Sequence, residues 1–231
     1  PYAFRTAPSD SLRMQKFATF AADELENDKL AVIYLNNDYG INAKDDFTAK
    51  FKELGGEIVV EDSFNRGATD FKTQLQKVKD SEADGLYMIA YAEGSGLLFK
   101  QAKELNVDIS IFNGYEAPAD PQTAEIAKDS HNGVWYAGYQ TADDTFAEAY
   151  KAEYEEEPLT YAAEAYDAVM VLAEAMKNGA LTGEELKTKL HDIKDHEGAS
   201  GTFTIDENGD VEKKFNLMQI KEQKAEVIRA L

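Results

Sequence analysis

The chain has 231 residues, no cysteine, and 44 acidic against 24 basic side chains, for a formal net charge of -20. The lack of cysteine excludes disulfides, thiolate zinc sites and thiol nucleophiles. The acidic balance opposes binding to nucleic acid, which needs cations against phosphates, and docking on an anionic membrane; no apolar run is long enough to cross a bilayer.

The length suits one large or two small domains with a substantial core. The opening Pro1-Tyr2-Ala3-Phe4-Arg5 lacks the basic start and apolar h-region of a signal peptide, as a mature secreted chain also would. Helical spacing of Leu12, Phe17, Phe20 and Leu25 predicts a helix over Asp10 to Glu26, capped by Ser9 or Asp10. Leu30 to Leu35 is a continuous apolar run, expected of a strand covered on both faces. A helix over Asn42 to Leu54 follows, closed by Gly55-Gly56.

The unit then repeats. Strands are predicted over Glu57 to Val60, Gly85 to Ala90, Ile109 to Phe112 and Val134 to Ala137. Between them lie helices over Thr69 to Lys79 (with Thr69 as cap), Gly94 to Leu105 and Thr123 to Lys128. Strands alternating with helices imply a parallel sheet of right-handed βαβ units. After Gly138 the pattern changes to helices over Phe146 to Glu155, Tyr161 to Lys177 and Gly183 to Ile193, with no strand between them. Thr145-x-x-Glu148 and Thr182-x-x-Glu185 both fit capping boxes. The chain closes in a predicted hairpin, Thr202 to Ile205 against Val211 to Ile220, turned at Asn208-Gly209, where both residues tolerate positive φ.

Most motifs of known chemistry are near misses. Asp206-x-Asn208-x-Asp210 opens like a calcium loop, but Val211 stands where glycine is needed and Leu217 where glutamate is needed. His191 and His196 do not stack on one helical face, and His131 stands alone, so no metal is expected. Ala92-Glu-Gly-Ser-Gly96 departs from a nucleophile elbow; its glycines suit a close backbone approach to a ligand or to a neighbouring element. Neither a Walker A sequence nor G-x-G-x-x-G after a strand is present, so no nucleotide cofactor is expected.

Three residues then stand out. Tyr39, Tyr91 and Glu116 each follow an apolar strand run, and in a parallel sheet those strand ends share one edge, where ligands bind. Tyr39 sits in Asn36-Asn-Asp-Tyr-Gly40, which taken alone also reads as a Gly-assisted turn with a surface tyrosine. Together the trio suits a small cationic or zwitterionic ligand. Glu116 can hold an ammonium by a charge-assisted hydrogen bond. The rings add cation–π attraction of about 0.5–2 kcal/mol, and a buried aliphatic ligand side chain adds about 1.5–3 kcal/mol.

These residues lie in segments that resemble a known family. Phe4-Arg-Thr-Ala-Pro-Ser-Asp10, Val32-Ile-Tyr-Leu-Asn-Asn-Asp-Tyr-Gly40, Thr69-Asp-Phe-Lys-Thr-Gln-Leu75, Lys100-Gln-Ala102, Ala165-Tyr-Asp-Ala168 and Phe203-x-x-Asp206-x-x-Gly209 are similar, in order, to type I periplasmic solute-binding proteins. The branch is that of the leucine/isoleucine/valine receptors of ABC transporters. The resemblance implies two α/β lobes joined by three crossovers. Residues 1–138 would form the second lobe, 139–200 the helices of a partial first lobe, and 201–231 a hairpin returning to the second lobe or hinge. It also implies that Tyr39 and Tyr91 line the pocket, that Glu116 pairs with a ligand α-ammonium, and that Tyr161 lines the first-lobe side.

The implied function is extracytoplasmic binding of a branched-chain or aliphatic amino acid for an ABC permease, in the periplasm or as a cell-surface lipoprotein, without catalysis. The alternatives are the ligand-sensing domain of a signalling receptor and, ranked below it, an α/β enzyme. Relatives carry a further βα segment that would precede this chain. Without it, Tyr161, Tyr166, Val169, Leu172 and Met176 are expected to form an exposed apolar stripe, and self-association or a retained N-terminal fragment is expected.

Overall fold

The computed structural model describes residues 2–140, 142–159, 161–211 and 213–231. Glu212, inside the predicted strand from Val211 to Ile220, lies outside the described residues. The chain divides into two compact units, one of Asp10–Gly138 with Phe215–Leu231 and one of Pro1–Ser9 with Tyr139–Lys214. The break after Gly138 falls at the predicted place, whereas the chain returns to the larger unit after Lys214 and not after 200, and the first residues fall in the smaller unit. The first nine residues and the stretch to Lys214 belong with the helices, because Phe4, Phe203, Ile205 and Val211 share their small core with Val171 and Leu190.

The larger unit is a sheet sandwiched by helices. In chain order it contains α1 (Asp10–Asp23), β1 (Lys29–Leu35), α2 (Asp38–Glu53), β2 (Glu57–Phe64), α3 (Lys72–Lys79), β3 (Gly85–Ile89), α4 (Ala92–Glu104), β4 (Ser110–Asn113), α5 (Pro121–Ala127) and β5 (Trp135–Tyr139). Strands β1 to β5 pair in parallel, as the alternation predicts. Among the described residues the sheet has seven strands in the order β2-β1-β3-β4-β5-β8-β9, where β8 is Phe215–Lys221 and β9 is Lys224–Ala230. Successive residues of the central strands serve opposite faces. Ile33, Leu35, Leu86 and Met88 pack with Phe71, Leu75 and Phe99, whereas Leu30, Val32, Tyr87 and Ile89 pack with Phe17, Phe47 and Phe51. Burial on both faces explains the unbroken apolar run of β1.

Several local expectations are corrected. Helix α2 begins at Asp38 rather than Asn42 because Asn37 caps it. Thr69 does not cap α3, which starts at Lys72 without a side-chain cap; the Thr69 carbonyl instead accepts from Gln101. Gly96 serves close packing: a Cβ there would lie 2.8 Å from Ile126, one helix away.

In the smaller unit α6 (Asp144–Tyr154), α7 (Ala162–Lys177) and α8 (Gly183–His191) follow one another without an intervening strand among the described residues. Asp143 caps α6 through Phe146 N, so the Thr145 box does not form; the Thr182–Glu185 box at α8 does. The C-terminal hairpin also differs from expectation. Thr202 and Phe203 lie in β7 (Gly201–Phe203), which pairs with β6 (His196–Gly198), and Ile205 meets Val211 in a single bridge. Only Gly209 of the Asn208-Gly209 pair takes positive φ, at 87°. The long hairpin joins β8 (Phe215–Lys221) to β9 (Lys224–Ala230) within the larger unit.

Candidate functional site

The strand order reverses direction between β1 and β3. From β1 the chain winds outward to β2, then crosses back to β3 and onward to β4 and β5. Such a switch point opens a crevice beyond the carboxyl ends of the two diverging strands. Tyr39 and Tyr91 stand there, just past the ends of β1 and β3.

The β1–α2 turn is built to present Tyr39. Asn37 is extended, and its Oδ1 accepts from Gly40 N at 2.8 Å, capping the helix. Position 40 must be glycine because a Cβ would lie 2.0 Å from the Leu35 carbonyl oxygen. The requirement is close approach of backbone, not an unusual φ. Tyr39 therefore falls in the first helical turn, and its phenol donates to the Gly114 carbonyl at 2.9 Å, past the end of β4. Tyr91 is the N-cap residue of α4. Asn37 Nδ2 donates to the Tyr91 phenol at 3.4 Å, so one side chain ties the two loops together.

The two predicted rings stack with centroids 6.0 Å apart at 22°. A third ring, Tyr115, stands edge-on to both, 5.8 Å from Tyr39 and 5.4 Å from Tyr91. Glu116 follows directly, half-buried, and heads a short 3₁₀ turn over Ala117–Ala119. Its carboxylate lies toward the end of β5, where a Cβ on Gly138 would come within 3.5 Å of Oε1. Burial raises the Tyr115 phenol above its ordinary value, and the Glu116 charge adds to that rise. Tyr136 on β5 is raised for the same two reasons in the same order.

Arg13 underlies the group. It is fully buried on α1 and donates to Asp10 at 2.6 Å, to the Ala137 carbonyl at 3.2 Å and to the Tyr39 phenol at 3.5 Å. Sequence reasoning missed Arg13 and Tyr115. The signal for Arg13 is its place four residues before Phe17, on the stripe that α1 buries. The signal for Tyr115 is weaker: a large aromatic beside the singled-out carboxylate.

Tyr161 belongs to the other unit. It precedes α7 in the left-handed region at φ 71°. Its ring lies 5.1 Å from Tyr139, and the two phenols are 3.5 Å apart. It lines a cavity of about 560 Å³ with Phe4, Ala165, Ala168, Leu172 and Leu186. Among the described residues, no group of three metal-ligating side chains converges. The larger unit thus gathers a carboxylate, aromatic surface and a buried cation at one sheet edge, which is the equipment for holding a small polar ligand.

Comparison with known proteins gives a consistent picture. The chain is 24% identical over 213 residues to the leucine-, isoleucine-, valine-, threonine- and alanine-binding protein of Pseudomonas aeruginosa, covering 90% of this chain and 57% of that protein. A leucine binding protein from Thermotoga maritima superposes with a TM-score of 0.87 at 27% identity, over 96% of this chain and 65% of that one. The branched-chain amino acid transporter substrate binding protein of Streptococcus pneumoniae, solved with isoleucine, gives 0.81 at 28% identity, over 96% and 66%. The chain therefore has the type I periplasmic-binding-protein fold while spanning less than two thirds of the curated relative's length. The sequence profile of the periplasmic binding proteins matches residues 1–225. A mostly parallel sheet with aromatic side chains at its switch point, superposition over 96% of the chain and a profile match to residues 1–225 agree: this chain belongs to the periplasmic binding protein family.

Proposed function

We propose that the protein is an extracytoplasmic receptor that binds an amino acid, branched-chain or otherwise aliphatic, and delivers it to the permease of an ABC transporter. It acts in the bacterial periplasm or at the cell surface as a lipoprotein, and it carries out no catalysis. The observation that carries this reading is the Tyr39–Tyr91 stack at the β1/β3 switch point, with Glu116 two strands along the same edge. In the proposed site Glu116 receives the ligand ammonium, and Tyr39 and Tyr91 form an aromatic wall; Tyr161 is proposed as a ligand contact of the smaller unit. The ligands for which the relatives are named, leucine, isoleucine and valine among them, support the choice of ligand class.

Titration calorimetry on the natural gene product that carries these residues tests the reading. Truncating a buried charge partner costs about 2–5 kcal/mol, so Glu116→Ala should weaken leucine binding at least thirtyfold. Unchanged affinity removes Glu116 as the anchor. Native mass spectrometry of freshly purified protein, searched for a retained small molecule, identifies the ligand directly. A second proposed property is self-association through the exposed face of α7, where Tyr166, Val169, Leu172 and Met176 are all at least 41% exposed.

A further inference from the structure

We propose that Tyr115 sets the size of the ligand that the site accepts, by occupying the space next to Glu116 into which a longer aliphatic side chain would extend. The inference rests on the amino-acid reading above and adds the residue that chooses among amino acids.

Tyr115 is held from two sides. Its backbone N donates to Asn113 Oδ1 at 2.8 Å, Asn113 Nδ2 donates to Ser95 Oγ at 3.1 Å, and Ser95 Oγ donates to the Ala90 carbonyl at 2.9 Å. Ser95 and Asn113 are buried, at 0% and 1% exposure. This chain of bonds links the loop after β3, which carries Tyr91, to the loop after β4, which carries Tyr115 and Glu116. Buried, mutually satisfied polar groups of this kind fix local geometry. The preceding residue, Gly114, receives the Tyr39 phenol, so the segment is pinned from the β1 side as well.

The ring itself closes a triangle. Its edge faces Tyr39 at 78° and Tyr91 at 83°, and the three centroid separations lie between 5.4 and 6.0 Å. A carbon chain between two rings needs about 3.5–4 Å to each. The triangle is too tight for that, so a ligand side chain lies against the rings and not among them. An ammonium on Glu116 brings the first side-chain carbons of the ligand beside the adjacent residue, which is Tyr115. Tyr115 and Glu116 are consecutive residues of the loop after β4, so both stand at the same sheet edge. Short side chains then fit beside the ring, and longer ones meet it.

The test is calorimetric titration of the natural gene product with alanine, valine and leucine, comparing wild type with Tyr115→Ala, Tyr115→Phe and Glu116→Gln. Tyr115→Ala should raise the leucine-to-alanine affinity ratio more than fivefold, and Tyr115→Phe should leave it as it is, since bulk and not the hydroxyl is at issue. Tyr115→Leu, intermediate in size, should shift the ratio in the same direction by less and serves if the alanine variant fails to fold. A ratio changed by less than fivefold in Tyr115→Ala, or loss of all binding by a folded Tyr115→Leu, overturns the proposal. Glu116→Gln should weaken all three ligands alike. If it leaves them unchanged while Tyr115→Ala shifts the ratio, the ammonium anchor is wrong and the size role stands. If wild type binds none of the three, the amino-acid reading falls and this inference falls with it.

Discussion

Tyr39 donates its phenolic proton to the Gly114 carbonyl, joining the loop after β1 to the loop after β4 across the end of β3. Gly114 is buried, so that carbonyl has no water to replace the phenol. Tyr39→Phe keeps the ring and its stack with Tyr91 but strands a buried acceptor, which costs about 1–3 kcal/mol. Urea denaturation should show that loss as a lower midpoint with an unchanged slope. An unshifted midpoint would mean that this bond contributes nothing net to stability.

Asp167 and Lys213 make a second, asymmetric prediction, in the smaller unit. The Asp167 carboxylate accepts from Ala199 N at 2.7 Å, from Ser200 N at 2.9 Å and from the Ser200 hydroxyl. Lys213 donates to that same hydroxyl and lies 4.6 Å over the Phe203 ring. Asp167 and Lys213 are 1% and 8% exposed. Burial pulls the Lys213 ammonium below its ordinary value, although Glu164 and Asp167 push it back up. Desolvation thus outweighs the attraction. Asp167→Ala removes the acceptor of the 199–200 turn and leaves a buried cation, at a cost of about 3–5 kcal/mol. Lys213→Met keeps the volume, removes the buried charge and leaves the Ser200–Asp167 bond in place, so it should be neutral or stabilising. Thermal melts of the two variants decide the matter: equal destabilisation would show that the ammonium contributes as much as the carboxylate.

What could be read from the sequence follows from where physical chemistry is local. The β1 strand was legible because a strand buried on both faces must be apolar throughout, and Leu30 to Leu35 is. The edge positions of Tyr39 and Tyr91 were legible because each large aromatic falls just after such a run. The β8–β9 hairpin was not. Its turn residues Glu222 and Gln223 take positive φ, at 48° and 64°, without the glycine or asparagine that normally announces such a turn. Strand β9 is exposed along its whole length, so no apolar alternation marks it. The Thr145 box lost to Asp143 because capping motifs overlap in sequence and only one residue takes the extended cap conformation. Arg13 and Tyr115 were hidden for a different reason: apart from Asp10, the partners of Arg13 lie 26 residues away at Tyr39 and 124 away at Ala137, and those of Tyr115 lie 24 or more away at Tyr91 and Tyr39.

The turn at Asp206 gives a pH dependence of known sign. Its Oδ1 accepts from Asn208 N and Asp210 N, both at 2.8 Å. These bonds, that to Asp210 first, hold the carboxyl below its ordinary value near 3.8. A carboxyl depressed in the folded state stabilises it above the unfolded value and loses that contribution as pH falls through the folded value. The turn should therefore be indifferent to pH from neutrality down to about 4 and loosen below that. Amide exchange at Asn208 and Asp210, followed by NMR, should speed up below pH 4 beyond the trend of other exposed amides. Asp206→Asn should remove the extra acceleration. An identical pH profile in the variant would assign it to another group.

The exposed face of α7 makes the last prediction. Val169 is 65% exposed and Met176 52%, with Tyr166 and Leu172 between and beside them. In a helix, Val169 and Met176 are seven residues apart, and Tyr166 and Leu172 are each three from Val169, so the four share one face. Tyr166 also meets Phe146 of α6 at 5.3 Å, which extends the apolar surface to a second helix. Contiguous apolar surface on this scale is rare on an isolated soluble domain and marks a surface that another surface covers. The net charge of -20 opposes association at low salt, so the contact should strengthen as salt screens the repulsion. Light scattering on the 231-residue chain should give a mass above that of one copy, rising with ionic strength. Val169→Glu with Met176→Glu should return it to one copy at every salt concentration. A monodisperse single copy in the unsubstituted chain, with no second peptide found by mass spectrometry, would show that this face stays bare.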